Sequence, residues 1–332
     1  MNTAKIDLHL HLDGSLNIGW AYKKALQRDV ISKDTSFEDF YNLLFPQSKG
    51  FSYDSFKKFD LTCNLLQTYE DLFEATYDLC RRDYEMGLIY IEIRFASQNH
   101  ILKGLSQYDA LKAVIDGANK AMEDFDIKVG IINCMMHKGE NEAYNHALNI
   151  ETIEVSKKFY KKGLVAMDLA GYENNCDFKE YGPLFEIIDS YGMPYTIHAG
   201  EMGIGEHVMD AINMKAKRIG HGINCIQDQR YIDAIKENNI PLEICVTCNI
   251  GRTMNYASHP IRRLMKEGVK ITVNSDNMMF ARTDLVNEHH QLKMLGLTDE
   301  DLRQFSLNAL DVAFCDDETK QYLKQRFRSI YD

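Results

Sequence analysis

The stretch "KIDLHLHLDGS", residues 5–15, sets His9 and His11 two apart among leucines. On a β-strand, residues i and i+2 project from the same face, so the two imidazoles stand side by side and can share a metal ion. A pair of buried histidines bonded to backbone carbonyls satisfies the same spacing. The rest of the chain has to decide between the two.

Working outward, seven more short apolar or β-branched runs follow: "IYIEIRFA" (89–96), "KVGIINCMM" (128–136), "LVAMDLAG" (164–171), "PYTIHAG" (194–200), "RIGHG" (218–222), "LEICVTCN" (242–249) and "KITVNSD" (270–276). Between them lie segments with apolar residues near i, i+3 and i+4, at 107–125, 149–163, 181–192 and 228–239, which predict helices. Strands alternating with helices imply parallel pairing through right-handed crossovers, and eight such units close into a ring. The expected fold is therefore α/β, a (β/α)8 TIM barrel, with residues 1–332 as one domain.

One crossover is far too long. Residues 14–88 predict a helical excursion between strands one and two, placed over the barrel mouth. Within it "FSYDSFKKFDLTCNLL" (51–66) is rich in Phe and Leu, as suits a helix packed on the barrel or a water-excluding cover.

Composition narrows the function. A net charge of −11 argues against holding nucleic acid or an anionic membrane through a broad basic surface. No stretch approaches the roughly 20 apolar residues of a membrane span, and the N-terminus lacks the pattern of a signal peptide. Eight cysteines scattered through apolar surroundings suit reduced thiols, so a cytoplasmic location is expected. Nothing in the sequence sets the oligomeric state.

In a barrel enzyme the active site forms at the C-terminal ends of the strands. There the chain carries His9, His11 and Asp13 on strand one, Asp168 and Gly171 on strand four, and His198 and Glu201 on strand five. His221 ends strand six, and Ser275, Asp276 and Asn277 end strand eight. His9, His11, His198 and Asp276 supply three imidazoles and a carboxylate, a donor set suited to one Zn2+ per chain with room for a water. Zinc lowers the pKa of such a water to about 7, and Glu201 and His221 remain as proton-handling groups.

The runs "DLHLHLDGS", "DLAGYE", "HAGE", "RIGHGI" and "VNSDN" resemble, in order and spacing, the adenosine deaminase family of amidohydrolase-like barrels. The resemblance spans nearly the whole chain. It implies His9, His11, His198 and Asp276 as zinc ligands and Glu201 as proton donor to purine N1. His221 would orient and deprotonate the attacking water, and the Gly171 backbone would donate to N3. The implied reaction converts adenosine, and 2′-deoxyadenosine, to inosine or deoxyinosine and ammonia, in purine salvage or catabolism.

Two substrate positions are more telling. "HLDG" resembles the nucleoside branch of the family, where Asp13 beside His11 would accept from a ribose hydroxyl and repel a 5′-phosphate; a helix N-cap is the alternative role. Asn277 stands where the family usually has a second aspartate facing N7. Its amide can donate to N7 without needing to be protonated. That departure leaves open another aminopurine or modified nucleoside as substrate, and a silent nucleoside-binding barrel is the alternative from a different class.

Other motifs predict little chemistry. "CVTC", Cys245 to Cys248, reads as strand seven running into its loop, and "MGIGEH" lacks the full dinucleotide pattern. His207, His259, His289 and His290 have no partner by spacing, although "SHP" at 258–260 falls near the mouth.

Overall fold

The computed structural model describes residues 4–45, 57–137, 142–173, 177–253 and 255–331. Its strands are β1 Lys5–His11, β2 Leu88–Phe95, β3 Lys128–His137, β4 Leu164–Gly171, β5 Thr196–Ala199, β6 Arg218–His221, β7 Leu242–Ile244 and β8 Ile271–Val273. All pair in parallel, in the orders β1-β2-β3-β4 and β5-β6-β7-β8. Two bridges join these halves: Met167 with Tyr195, and Leu10 with Asp276. The strands thus form the expected ring.

The alternation in β2 shows how the sequence builds both faces. Ile91, Ile93 and Phe95 enter the apolar layer shared with Leu111 and Val114 of the helix Gln107–Asp124. Glu92 and Arg94, one residue out of phase, are fully buried and reach across the barrel. At the opposite end from the site, Leu323 and Phe327 of the C-terminal helix Asp317–Tyr331 pack on Ala4, Ile6 and Ile89.

Between β1 and β2 the chain forms helices Ile18–Gln27, Phe37–Leu44, Lys57–Leu65 and Tyr69–Glu85. Residues 51–56 of the Phe-rich stretch lie outside the described residues. From Phe59 onward the stretch faces the mouth, and Phe59 also packs edge-on against Phe280 at 4.6 Å. It is both a packed helix and a wall of the cavity.

Two boundaries differ from expectation. β7 stops at Ile244, and Val246–Thr253 is a helix: Asn249 N bonds Cys245 O at 3.0 Å, so the "CVTC" run turns inward instead of extending. The helix predicted over 149–163 runs Glu142–Phe159, because Lys161 takes a left-handed φ of 62° and the chain reverses into β4.

Candidate active site

His9 and His11 leave β1 on one face, as their spacing requires, and meet His198 from the end of β5 and Asp276 beyond β8. His11 Nε2 lies 3.2 Å from His198 Nε2 and 3.4 Å from Asp276 Oδ1, and His9 Nε2 lies 3.6 Å from that same oxygen. Ligands about 2.0–2.1 Å from a tetrahedral ion sit roughly 3.3 Å apart, so these atoms already stand at coordination spacing. His9 Nε2 and Asp276 Oδ2 are buried without a hydrogen-bond partner, which is costly unless something binds them. The residues present fit a metal ion.

The backbone is bent to achieve this. Asp276 and His221 both adopt left-handed φ, 60° and 61°, a conformation that costs a non-glycine residue energy and is found where side chains must be re-aimed. Asn277 follows Asp276 and donates its amide to Asp276 Oδ1 at 2.6 Å. A Cβ on Gly14 would come within 1.8 Å of Asn277 Oδ1, so the glycine of "HLDG" makes room for that side chain.

The outer nitrogens of His9, His198 and His221 each have a partner. His9 Nδ1 bonds Glu243 Oε2 at 2.8 Å, His198 Nδ1 bonds Asp168 Oδ2 at 3.0 Å, and Asn249 Nδ2 donates to His221 Nδ1 at 3.1 Å. Such contacts fix ring orientation and tautomer. Arg94 then joins the two carboxylates, donating from Nη1 to Asp168 Oδ2 at 3.0 Å and from Nη2 to Glu243 Oε2 at 2.9 Å. Arg218 Nε bonds the other Glu243 oxygen at 2.6 Å and also pairs with Glu92.

Electrostatics follow this wiring. Burial opposes ionisation of Glu243, but Arg94 and Arg218 hold its pKa well below the usual range. Asp276 is likewise held low despite burial, by the imidazoles of His9, His11 and His221 that face it. Burial pushes His11 and His221 well below the ordinary histidine value, so both are neutral. For His9, burial and Arg94 work against protonation, yet the nearby Asp276 carboxylate and the bond to Glu243 outweigh them and raise its pKa.

Glu201 Oε1 lies 3.4 Å from His221 Nε2. Its loop is pinned by Glu173, which accepts from Gly200 N at 2.8 Å and also from Met202 N, and Asn224 holds the Glu201 carbonyl at 3.0 Å. A cavity of about 570 Å³ opens over these groups, within the usual range of small-molecule sites. Asp13, Gly171 and Asn277 all line it, together with Met136 and His137. Gly171 has φ 123°, and a Cβ there would press to 2.9 Å from the His137 carbonyl. Asp13 does not cap a helix: Asn17 caps Ile18–Gln27, while Asp13 Oδ2 accepts from Cys63 and Oδ1 is buried without a hydrogen-bond partner. Burial lifts the Asp13 carboxyl to about 6.

The structure therefore brings together every site residue predicted from the sequence. The supporting residues Arg94, Glu173, Glu243 and Asn249 were missed, and so was His259, whose Nε2 approaches Asn249 Oδ1 at 3.5 Å. A charged residue amid each apolar strand, "IEIR" and "LEI", was the available signal.

A family model described as adenosine deaminase matches residues 4–330. An adenosine deaminase from Clostridium perfringens is 34% identical over 330 residues, covering 98% of both chains. Among solved structures, the Arabidopsis N6-mAMP deaminase matches with a TM-score of 0.86 at 23% identity, covering 99% of this chain and 98% of that one. An amidohydrolase from Burkholderia ambifaria, solved with bound Zn, gives 0.87 at 20% identity, covering 100% and 92%. The structural likenesses show a shared fold. The match in sequence along almost the full length shows more: the chain belongs to the adenosine deaminase family.

Proposed function

We propose that the protein is a zinc-dependent hydrolase that deaminates adenosine and 2′-deoxyadenosine. The observation that carries this reading is the meeting of His9, His11, His198 and Asp276 at coordination spacing, with the Glu201–His221 pair beside them at one end of a nucleoside-sized cavity. These four residues would hold Zn2+, which when bound supplies hydroxide at neutral pH.

The chain's own residues do the rest. Glu201, buried and fixed by the Glu173 and Asn224 contacts, gives a proton to purine N1 as hydroxide adds at C6; the adduct's hydroxyl then loses its proton, and the 6-amino group gains one and leaves as ammonia. With Nδ1 accepting from Asn249, a neutral His221 carries its proton on Nε2. It therefore donates to the oxygen at C6 and steadies developing charge there, in place of the base role that resemblance implies. Gly171 N donates to N3, and Asp13 Oδ1 accepts from a ribose hydroxyl. One amide hydrogen of Asn277 goes to Asp276, and the other serves N7.

Residues 14–88 act as the helical cover of a single 1–332 unit. The cytosol is the proposed compartment, supported by the lack of a disulfide among the seven described cysteines. Asn277 favours a second reading, in which another 6-aminopurine nucleoside is the better substrate.

Ammonia release by metal-loaded protein from adenosine, deoxyadenosine, adenine and AMP tests the choice. Nucleosides should react and AMP should not; turnover of AMP in preference to adenosine would overturn the role given to Asp13. Glu201→Gln should keep its metal and lose about a thousandfold in kcat.

A further inference from the structure

A second group of metal-type donors lies on the sugar side of the cavity. An oxygen of Asp13, the sulfur of Cys63 and a ring nitrogen of His100 lie within 4.8 Å of one another. All three side chains are buried, at 5%, 8% and 0% exposure. They come from the end of β1, from the helical cover and from the turn after β2.

The surroundings look built. Cys63 Sγ stands 3.5 Å from Asp13 Oδ2, and Asp13 Oδ1 has no hydrogen-bond partner. His100 Nδ1 donates to the Leu66 carbonyl at 3.0 Å, which makes Nε2 the lone-pair nitrogen, as a backbone carbonyl does behind many metal-bound histidines. Gln67 Nε2 donates to both the Cys63 carbonyl (2.8 Å) and the Asn99 carbonyl (2.9 Å), clamping the two donor-bearing segments together.

We propose that Asp13, Cys63 and His100 form a second site for a zinc-class divalent cation, and that its occupation inhibits the enzyme. One thiolate, one imidazole and one carboxylate suit zinc or cobalt and not magnesium or calcium. On binding, the Cys63 thiol gives its proton to solvent as the metal–sulfur bond forms, and water from the cavity completes the coordination. Asp13 cannot hold the cation and a ribose hydroxyl together, so the two compete. The inhibitory consequence rests on the nucleoside reading given above; the binding itself does not.

Cobalt(II) separates the two. Titrated into enzyme already carrying one metal per chain, it should bind one further equivalent with a thiolate-to-cobalt charge-transfer band in the near ultraviolet, a signature that His9, His11, His198 and Asp276 cannot produce. Cys63→Ser should keep the first metal and lose the band, and His100→Gln should weaken the second binding. Added zinc at about ten times its dissociation constant should raise KM for adenosine roughly tenfold with kcat unchanged, in wild type and not in Cys63→Ser. Absence of the band, or a band that survives Cys63→Ser, overturns the site. A band without any effect on KM overturns the inhibition. Failure to turn over adenosine with the band intact falls on the nucleoside reading alone.

Discussion

His198 and His137 end β5 and β3 on the same rim, and both are more than nine-tenths buried. His198 has Asp168 behind it and Arg94 behind Asp168. His137 rests between the rings of Phe178 and Tyr181, and neither ring nitrogen has a hydrogen-bond partner. The difference separates two kinds of surface. Beneath the metal ligands, Arg94 and Arg218 answer the carboxylates of Asp168, Glu243 and Glu92, which holds geometry; along the cavity wall the His137 nitrogens stand unanswered, which leaves them for a ligand.

Breaking the paired side should have the largest effect. Arg94→Met leaves Asp168, Glu243 and the Leu8 carbonyl without their shared donor, and should cost about 3–5 kcal/mol in urea unfolding. A loss under about 1 kcal/mol would show that the two carboxylates do not depend on it. Glu243→Gln keeps an oxygen for His9 but removes the charge, and metal affinity measured by chelator competition should fall about 10- to 100-fold.

The unpaired side predicts the reverse. His137→Phe removes two unsatisfied atoms from an aromatic cage, so metal affinity should hold and stability should stay level or rise by up to about 1 kcal/mol. Burial pushes His137 down to about 3, which keeps it neutral at working pH. A drop in stability would mean that its nitrogens are structural.

Glu288 sharpens the contrast from a third position. It is buried like Glu243, but it accepts from Thr247 N and Thr283 Oγ1 in place of arginines, and burial lifts it from 4.5 to about 7. Between those values the folded chain keeps a proton that the unfolded chain has released, so this residue's contribution to stability falls as pH rises through the window. Glu288→Gln should flatten that slope, gaining a few degrees of Tm on wild type between pH 5 and pH 8. Parallel Tm–pH curves for the two proteins would refute the shift.

The ring and its metal donors were legible because both depend on local pattern: strand alternation places His9 beside His11, and barrel geometry sends strand ends to one rim. The network below was not, since Arg94 and Glu243 are far apart in sequence and nothing local announces that they meet. Asn249 was hidden for another reason. "CVTC" has β-branched residues that fit a strand, yet helical bonding from Cys245 turns it, and only that turn carries Asn249 to His221.

The bridge between Leu10 and Asp276 closes the barrel at the metal centre itself, with His11 N bonded to Asp276 O and Asp276 N to His9 O, each at 2.8 Å. Donors on the first strand and just beyond the eighth therefore become neighbours only when this seam is sealed. During synthesis no complete metal cage can exist until residue 276 has left the ribosome, so His9 and His11 wait through most of translation. Acquisition of the ion is then a report on finished folding, and a chain truncated before β8 should emerge without it.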